Sequence, residues 1–124
     1  MAVDMVSVGQ VGDAVTGAVC VVAVVVTYNP DPETFGRLLA ASSREVTAIV
    51  VVDNGSSQVN VEELCEPDVG VPVEYLPRTS NVGIASAQNC GIAKARILQA
   101  THVLLLDHDS IPQSGMVRAL IEAD

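Results

Sequence analysis

The sequence predicts an α/β fold, a parallel Rossmann-like sheet with flanking helices. Three observations predict it. Apolar, largely β-branched runs at Val19–Val26, Ala48–Val52 and His102–Leu106 alternate with helical patterns, the order expected of successive βα units. The runs are nearly continuous rather than alternating, the habit of strands covered on both faces. Polar clusters follow the carboxyl ends of these runs, where open parallel sheets bind their ligands.

Residues 1–17 mix Gly, Ser, Val and Asp without clear periodicity and read as a loose leader ahead of a domain over residues 18–124. The first strand, Val19–Val26, stops at Thr27-Tyr28-Asn29-Pro30. A helix should follow, with Asp31 as its cap, Pro32 at its first position and Glu33 at its positive end. Phe35, Leu38 and Leu39 give it an apolar face, and Ser42-Ser43 loosens its end. The second strand, Ala48–Val52, runs into Asp53-Asn54-Gly55-Ser56, and Asn60 with Glu63 can cap a short helix through Cys65. A third strand lies near Val71–Leu76. Pro72 cannot donate to a ladder and Glu74 interrupts the apolar run, which places this strand at an edge. A helix from about Ile84 to Gln99 carries Ile84, Ala87, Gly91, Ala95 and Leu98 on one stripe; its small residues allow close approach to the sheet. The fourth strand, His102–Leu106, precedes Asp107-His108-Asp109-Ser110, and Pro112 and Gly115 lead into a last helix with Met116, Val117, Leu120 and Ile121.

The chain has 124 residues, 49% hydrophobic and 17% charged, enough for one core and too few for two ordinary domains. Six Lys/Arg stand against 15 Asp/Glu, a formal charge of −9, which repels a nucleic-acid backbone. The aromatics are Tyr28, Phe35 and Tyr75, too few for a base-stacking platform. The three isolated cysteines form no C-x-x-C pair, which argues against zinc and for a reducing compartment. Residues 1–18 carry no Lys or Arg, so the positive region of a signal peptide is missing, and no apolar run approaches the ~20 residues of a membrane span. The expectation is a cytoplasmic protein, peripheral at most at the inner face of the membrane.

Asp107 and Asp109 can serve one hard cation, since Mg²⁺ commonly takes one or two carboxylates and completes its shell with phosphate oxygens and water. They can equally make a turn that caps the next helix. His108 reads as exposed. Asp53 can accept hydrogen bonds from a base N–H or a ribose hydroxyl, or belong to an Asp-Asn-Gly turn. Thr27-Tyr28-Asn29 offers backbone groups and an aromatic wall, or a plain strand-to-helix turn. Asn81-Val82-Gly83 precedes a helix N-terminus that favours negative charge, or simply caps it. A P-loop, a G-x-S-x-G elbow and a dinucleotide fingerprint after the first strand are all absent.

Four segments in order resemble the family 2 glycosyltransferases of the GT-A fold: Val24–Asn29, Val50–Ser56, Asn81–Ala85 continuing to Gly91, and Leu104–Ser110. The Leu-Leu-Leu-Asp-x-Asp-Ser form resembles the rhamnosyltransferase branch, where Gln often stands in place of His108. The resemblance implies an incomplete GT-A fold with the four strands in the order 3-2-1-4. Thr27, Tyr28, Asn29 and Asp53 would hold the nucleotide base, and Asn81 and Gly83 would shape the pocket wall. Asp107 would contact ribose or sugar, and Asp109, with Asp107, would bind Mg²⁺ or Mn²⁺ across a diphosphate. The implied reaction is inverting transfer of a sugar, rhamnose in that branch, from a nucleotide-sugar such as dTDP-rhamnose or a UDP-sugar to a saccharide or lipid-linked acceptor. The general base is expected beyond Asp124, which makes this chain the donor-binding half and leaves a flank whose exposure would favour self-association. The competing expectation is a non-catalytic nucleotide-binding module. A phosphoacceptor signalling domain would need an acidic pair after the first strand, where Thr27, Tyr28 and Asn29 stand.

Overall fold

A computed structural model describes residues 3–7 and 19–123. In chain order the elements are β1 (Val3–Ser7), β2 (Val21–Thr27), α1 (Pro32–Ser43), β3 (Ala48–Asp53), α2 (Val61–Leu64), β4 (Val73–Pro77), α3 (Ile84–Ile97), β5 (His102–Asp107) and α4 (Met116–Ala123). They build one five-stranded sheet in the order β1-β5-β2-β3-β4. β2 through β5 are mutually parallel. They are the four strands expected from the sequence, in the expected order 3-2-1-4.

The continuous Val/Ile character of β2 and β3 follows from burial on both faces. Val21, Ala23 and Val25 pack with Phe35, Leu38, Leu39 and Val117 beneath α1, α2 and α4. Val22 and Val24 pack with Ala87 and Ala95 of α3 on the other face. Gly91 lets α3 lie almost against the sheet, because a Cβ there would stand 2.3 Å from Val24 Cγ1. α1 starts as expected: Asp31 accepts the Thr34 N–H at 2.9 Å and Pro32 opens the helix. The Asn60 side chain likewise caps α2 through Glu63 N–H.

Three expectations change. Residues 3–7, assigned to a loose leader, form β1 and pair antiparallel with the free edge of β5, from Val3 opposite Leu106 to Ser7 opposite His102. Only Met5 is described as packing into the core; backbone hydrogen bonding to an open edge makes this strand, and it needs no long apolar period. The rest of that leader lies outside the described residues. β4 is the expected edge strand, but it begins after Pro72, whose carbonyl accepts the Ile49 N–H at 2.9 Å. Ile84 is 57% exposed, because the first turn of α3 overshoots the sheet and ends beside the strand tips.

Candidate functional site at the carboxyl rim of the sheet

The carboxyl ends of β2, β3 and β5 lie side by side, with Thr27 opposite Asp53 and Val26 opposite Asp107 in the two ladders. Parallel register thus turns three polar clusters, distant in sequence, into one rim. Beneath it runs a buried hydrogen-bond network. Asp53, 4% exposed, accepts Thr27 Oγ1–H at 2.8 Å, Ser56 Oγ–H at 2.6 Å and Ser56 N–H at 3.0 Å. Ser56 Oγ in turn accepts the Asn29 N–H at 2.7 Å. Asn29 holds a left-handed backbone, φ 47°, and its Oδ1 accepts the N–H groups of Ser57 and Gln58 at 2.9 and 3.0 Å. Asn tolerates that conformation better than most residues. The turns after β2 and β3 are therefore stitched together by side chains from both.

A second knot ties the rim to α3. Asn54 Nδ2–H donates to Asn81 Oδ1 and to the Gly83 carbonyl, and Asn54 Oδ1 accepts the Val82 N–H. Gly83 precedes α3 with φ 93°, a conformation that favours glycine. Gly55, φ 89°, passes so close to Ser80 that a Cβ would meet backbone at 3.0 Å.

Two depressions open on this rim. One, of about 260 Å³, is lined by Val26, Thr27, Tyr28, Ile84, Asp107, His108 and Asp109. The other, of about 390 Å³, is lined by Asp53, Ser56–Val61 and Tyr75. The Thr27–Asp53 bond joins their walls. A larger hollow, about 620 Å³, lies elsewhere, between α4 and the amino ends of β2 and β3; open parallel sheets bind their ligands at the opposite end.

The expected site residues divide accordingly. Thr27, Tyr28, Asp107 and Asp109 share the smaller cleft, and Asp53 faces the larger. Asn29 is spent on backbone donors, while Asn81 and Gly83 act through Asn54 and line neither cleft. Reading the sequence alone missed Asn54 and Ser56 as organisers, although Asp followed by Ser three residues on is a local turn signal. It also missed Arg78, whose N–H donates to the Asp53 carbonyl and whose guanidinium reaches Ser86 Oγ at 3.3 Å. His108 is not simply exposed: it is half-buried and accepts the Tyr28 N–H at 3.2 Å.

The electrostatics separate two kinds of carboxylate. Asp53 accepts three hydrogen bonds. Among the described residues, no side-chain hydrogen bond engages Asp107 or Asp109; the Asp107 backbone carbonyl accepts the Ser110 N–H at 3.0 Å and closes the turn between them. No group of three or more His, Cys, Asp or Glu among the described residues could hold a metal. A pair of carboxylates on one cleft is nonetheless the donor set that Mg²⁺ or Mn²⁺ takes when phosphate oxygens complete its shell. The residues fit such an ion. Burial, with the charges of Asp53 and Glu62, pushes the Cys65 thiol up to about 11 and raises the Tyr75 phenol. A raised thiol disfavours the thiolate at Cys65, and Tyr75 lines the larger depression together with Asp53.

The comparisons with known proteins agree with this geometry. The sequence profile of Glycosyl transferase family 2 matches residues 22–123. A dTDP-rhamnosyl transferase, RfbF of Shigella flexneri, is 30% identical over 98 residues, which are 79% of this chain and 32% of that protein. The crystal structure of TarS 1-349 from S. aureus superposes with a TM-score of 0.68 at 18% identity, covering 83% of this chain and 31% of that one. The chain therefore spans about a third of the length of these relatives. The profile match covers most of the chain, and the strand order fits it: the chain belongs to glycosyl transferase family 2.

Proposed function

We propose that residues 18–124 are the donor-binding half of a glycosyltransferase and that the rim holds a nucleotide-sugar together with a divalent cation. The observation that carries this reading is the convergence of Tyr28, Asp107 and Asp109 on one cleft that adjoins the buried Asp53. The Tyr28 ring, 47% exposed, offers an aromatic face to a base. Thr27, Asn29 and Asp53 shape the base-binding turns, and Asn81 and Gly83 hold the wall through Asn54. Asp107 and Asp109 hold Mg²⁺ or Mn²⁺, with Asp107 also within reach of ribose or sugar. In an inverting transfer an acceptor hydroxyl oxygen bonds to the anomeric carbon as the bond to the diphosphate oxygen breaks, with the electron pair leaving on the diphosphate and the hydroxyl proton passing to a general base. A bound cation supplies Lewis-acid stabilisation of that leaving group.

Charge supports the cation. A nucleoside diphosphate approaching a chain of net charge −9 meets Asp107 and Asp109, which have no side-chain hydrogen-bond partner among the described residues. The likeness to a dTDP-rhamnosyl transferase favours dTDP-rhamnose as donor, a UDP-sugar being the alternative, with a saccharide or lipid-linked glycan as acceptor. Three free cysteines fit a reducing compartment. No helix among the described residues is long and apolar enough to cross a membrane. Of the exposed large apolar residues, Tyr28 and Ile84 lie on the cleft and Val82 beside it, while Val19 and Ile97 lie elsewhere. Self-association through an uncovered flank is the remaining part of this proposal, read out by sedimentation.

Calorimetric titration with dTDP, UDP and GDP, each with and without Mn²⁺, tests the reading. Metal-dependent binding of one nucleotide is expected, with Asp109→Ala or chelation removing it. A folded chain that binds none of the three, or an Asp109→Ala variant that binds like the wild type, refutes it.

A further inference from the structure

His108 stands between the two aspartates, and its imidazole is used in a way that neither carboxylate explains. The parallel ladder between β2 and β5 ends with Val26 opposite Asp107. Beyond that point the chain after β5 turns away, closed by the Ser110 N–H on the Asp107 carbonyl. A further rung would need a backbone acceptor that is no longer there. His108 Nδ1 accepts the Tyr28 N–H at 3.2 Å, across 80 residues of sequence, and so adds a rung to the sheet with a side chain. A backbone N–H can only donate, so Nδ1 carries the lone pair and the ring proton sits on Nε2. His108 also lines the 260 Å³ cleft with Tyr28, Asp107 and Asp109.

We infer that His108 is a positioning residue of the donor site: it locks the Tyr28 turn to the Asp107–Asp109 turn and presents an Nε2–H donor to an oxygen of the phosphate or ribose bound in the same cleft. This rests on the donor-site reading above. Its logic is preorganisation. Tyr28 and the aspartates come from strands that pair only up to Val26, and without the imidazole the two turns would move independently. Ordering them would then be charged against ligand binding. A carboxamide has the same two functions as this tautomer, an acceptor and a donor on one planar group, so Gln should replace His and Ala should not.

The test uses the full chain, with His108→Ala and His108→Gln beside the wild type, and two readouts. Amide hydrogen exchange at Tyr28 needs no ligand. Protection is expected in wild type and His108→Gln and should be lost in His108→Ala; equal exchange in all three overturns the tether. Titration with dTDP in Mn²⁺ should show about tenfold weaker binding for His108→Ala, the order of one hydrogen bond, and near-wild-type binding for His108→Gln, with all three melting together. If Ala frees the Tyr28 amide but binds Mn²⁺ and dTDP as the wild type does, the positioning role is wrong. If the folded wild type binds no nucleotide, the donor-site reading and the positioning role fall together, while the exchange result still decides the tether by itself.

Discussion

Two glycines on helices of this protein should respond to the same substitution with opposite signs. Gly91 sits in the middle of α3, against the sheet. A Cβ there would lie 2.3 Å from Val24 Cγ1, 3.1 Å from Val52 Cγ2 and 3.3 Å from Val24 Cγ2. The first distance is at least roughly 1 Å short of an ordinary carbon–carbon contact. Val24 and Val52 are fully buried, so neither can swing into solvent. Relief requires an off-rotamer valine or a lifted helix, at the upper part of the ~1–3 kcal/mol that overpacking costs. Alanine regains about 1 kcal/mol of helix propensity. The net for Gly91→Ala is a loss of about 1–2 kcal/mol, a fall in Tm of roughly 4–8 °C for a domain of this size. Gly36 lies on the exposed side of α1, with nothing within 4 Å of its would-be Cβ. Gly36→Ala should gain about 0.5–1 kcal/mol through propensity and the unfolded chain. Urea denaturation of both variants, checked by thermal melts, gives the two signs. Gly91→Ala at or above wild-type stability would refute the close contact of α3 with the sheet. That contact matters to the site, because the Gly83 carbonyl ahead of α3 is held by Asn54, and lifting the helix pulls on the rim.

Asp53→Ala should be costly for stability independently of any ligand. It leaves Thr27 Oγ1–H, Ser56 Oγ–H and Ser56 N–H without their acceptor, and a loss of about 2–4 kcal/mol in urea follows from orphaning buried donors; a loss under 1 kcal/mol would mean that the network relaxes onto other partners. Cys65 predicts a loss of stability on the alkaline side. Its folded value, about 11, lies above the ordinary thiol value of 9.0, so the folded chain holds the thiol proton longer than the unfolded one. The stabilisation is complete below pH 9, declines as the pH rises from 9 toward 11, and should vanish from the difference between pH 8 and 10.5 in Cys65→Ala, measured under reducing conditions. An unchanged pH slope in that variant would assign the alkaline loss to other groups.

β2, β3 and β5 were legible because burial on both faces leaves a composition that few other environments produce, and β4 was legible as an edge because Pro72 and Glu74 interrupt its apolar run. The Asp31 and Asn60 caps were legible because both partners sit within three residues of the cap. β1 was not, since a short edge strand is held by the backbone of β5 and its own side chains need show no pattern. Ile84 was misplaced for a related reason. Helical periodicity says which residues share a stripe, but not how far the sheet extends beneath it, and the sheet stops before the first turn of α3.

The same distinction between local and distant bonds separates the two kinds of polar residue at the rim. Asp53, Asp107 and Asp109 all follow a strand in the sequence, and nothing local distinguishes them. The bonds that do are made across 26 residues from Thr27 to Asp53, 27 from Asn29 to Ser56 and from Asn54 to Asn81, and 80 from Tyr28 to His108. Each consumes polar groups that the sequence alone would offer to a ligand. Once these are spent, Asp53 is an organiser of two turns, Asn29 is an anchor for the Ser57 and Gln58 amides, and Asp107 and Asp109 keep their carboxylates free of described side-chain partners. A buried carboxylate that accepts three hydrogen bonds is held rigid, whereas two without described side-chain partners at the mouth of a cleft attract cations and are costly to hold together. On the proposed reading a division of labour follows: the strand that ends in Asp53 would build the site, and the strand that ends in Asp107 would hold the cation.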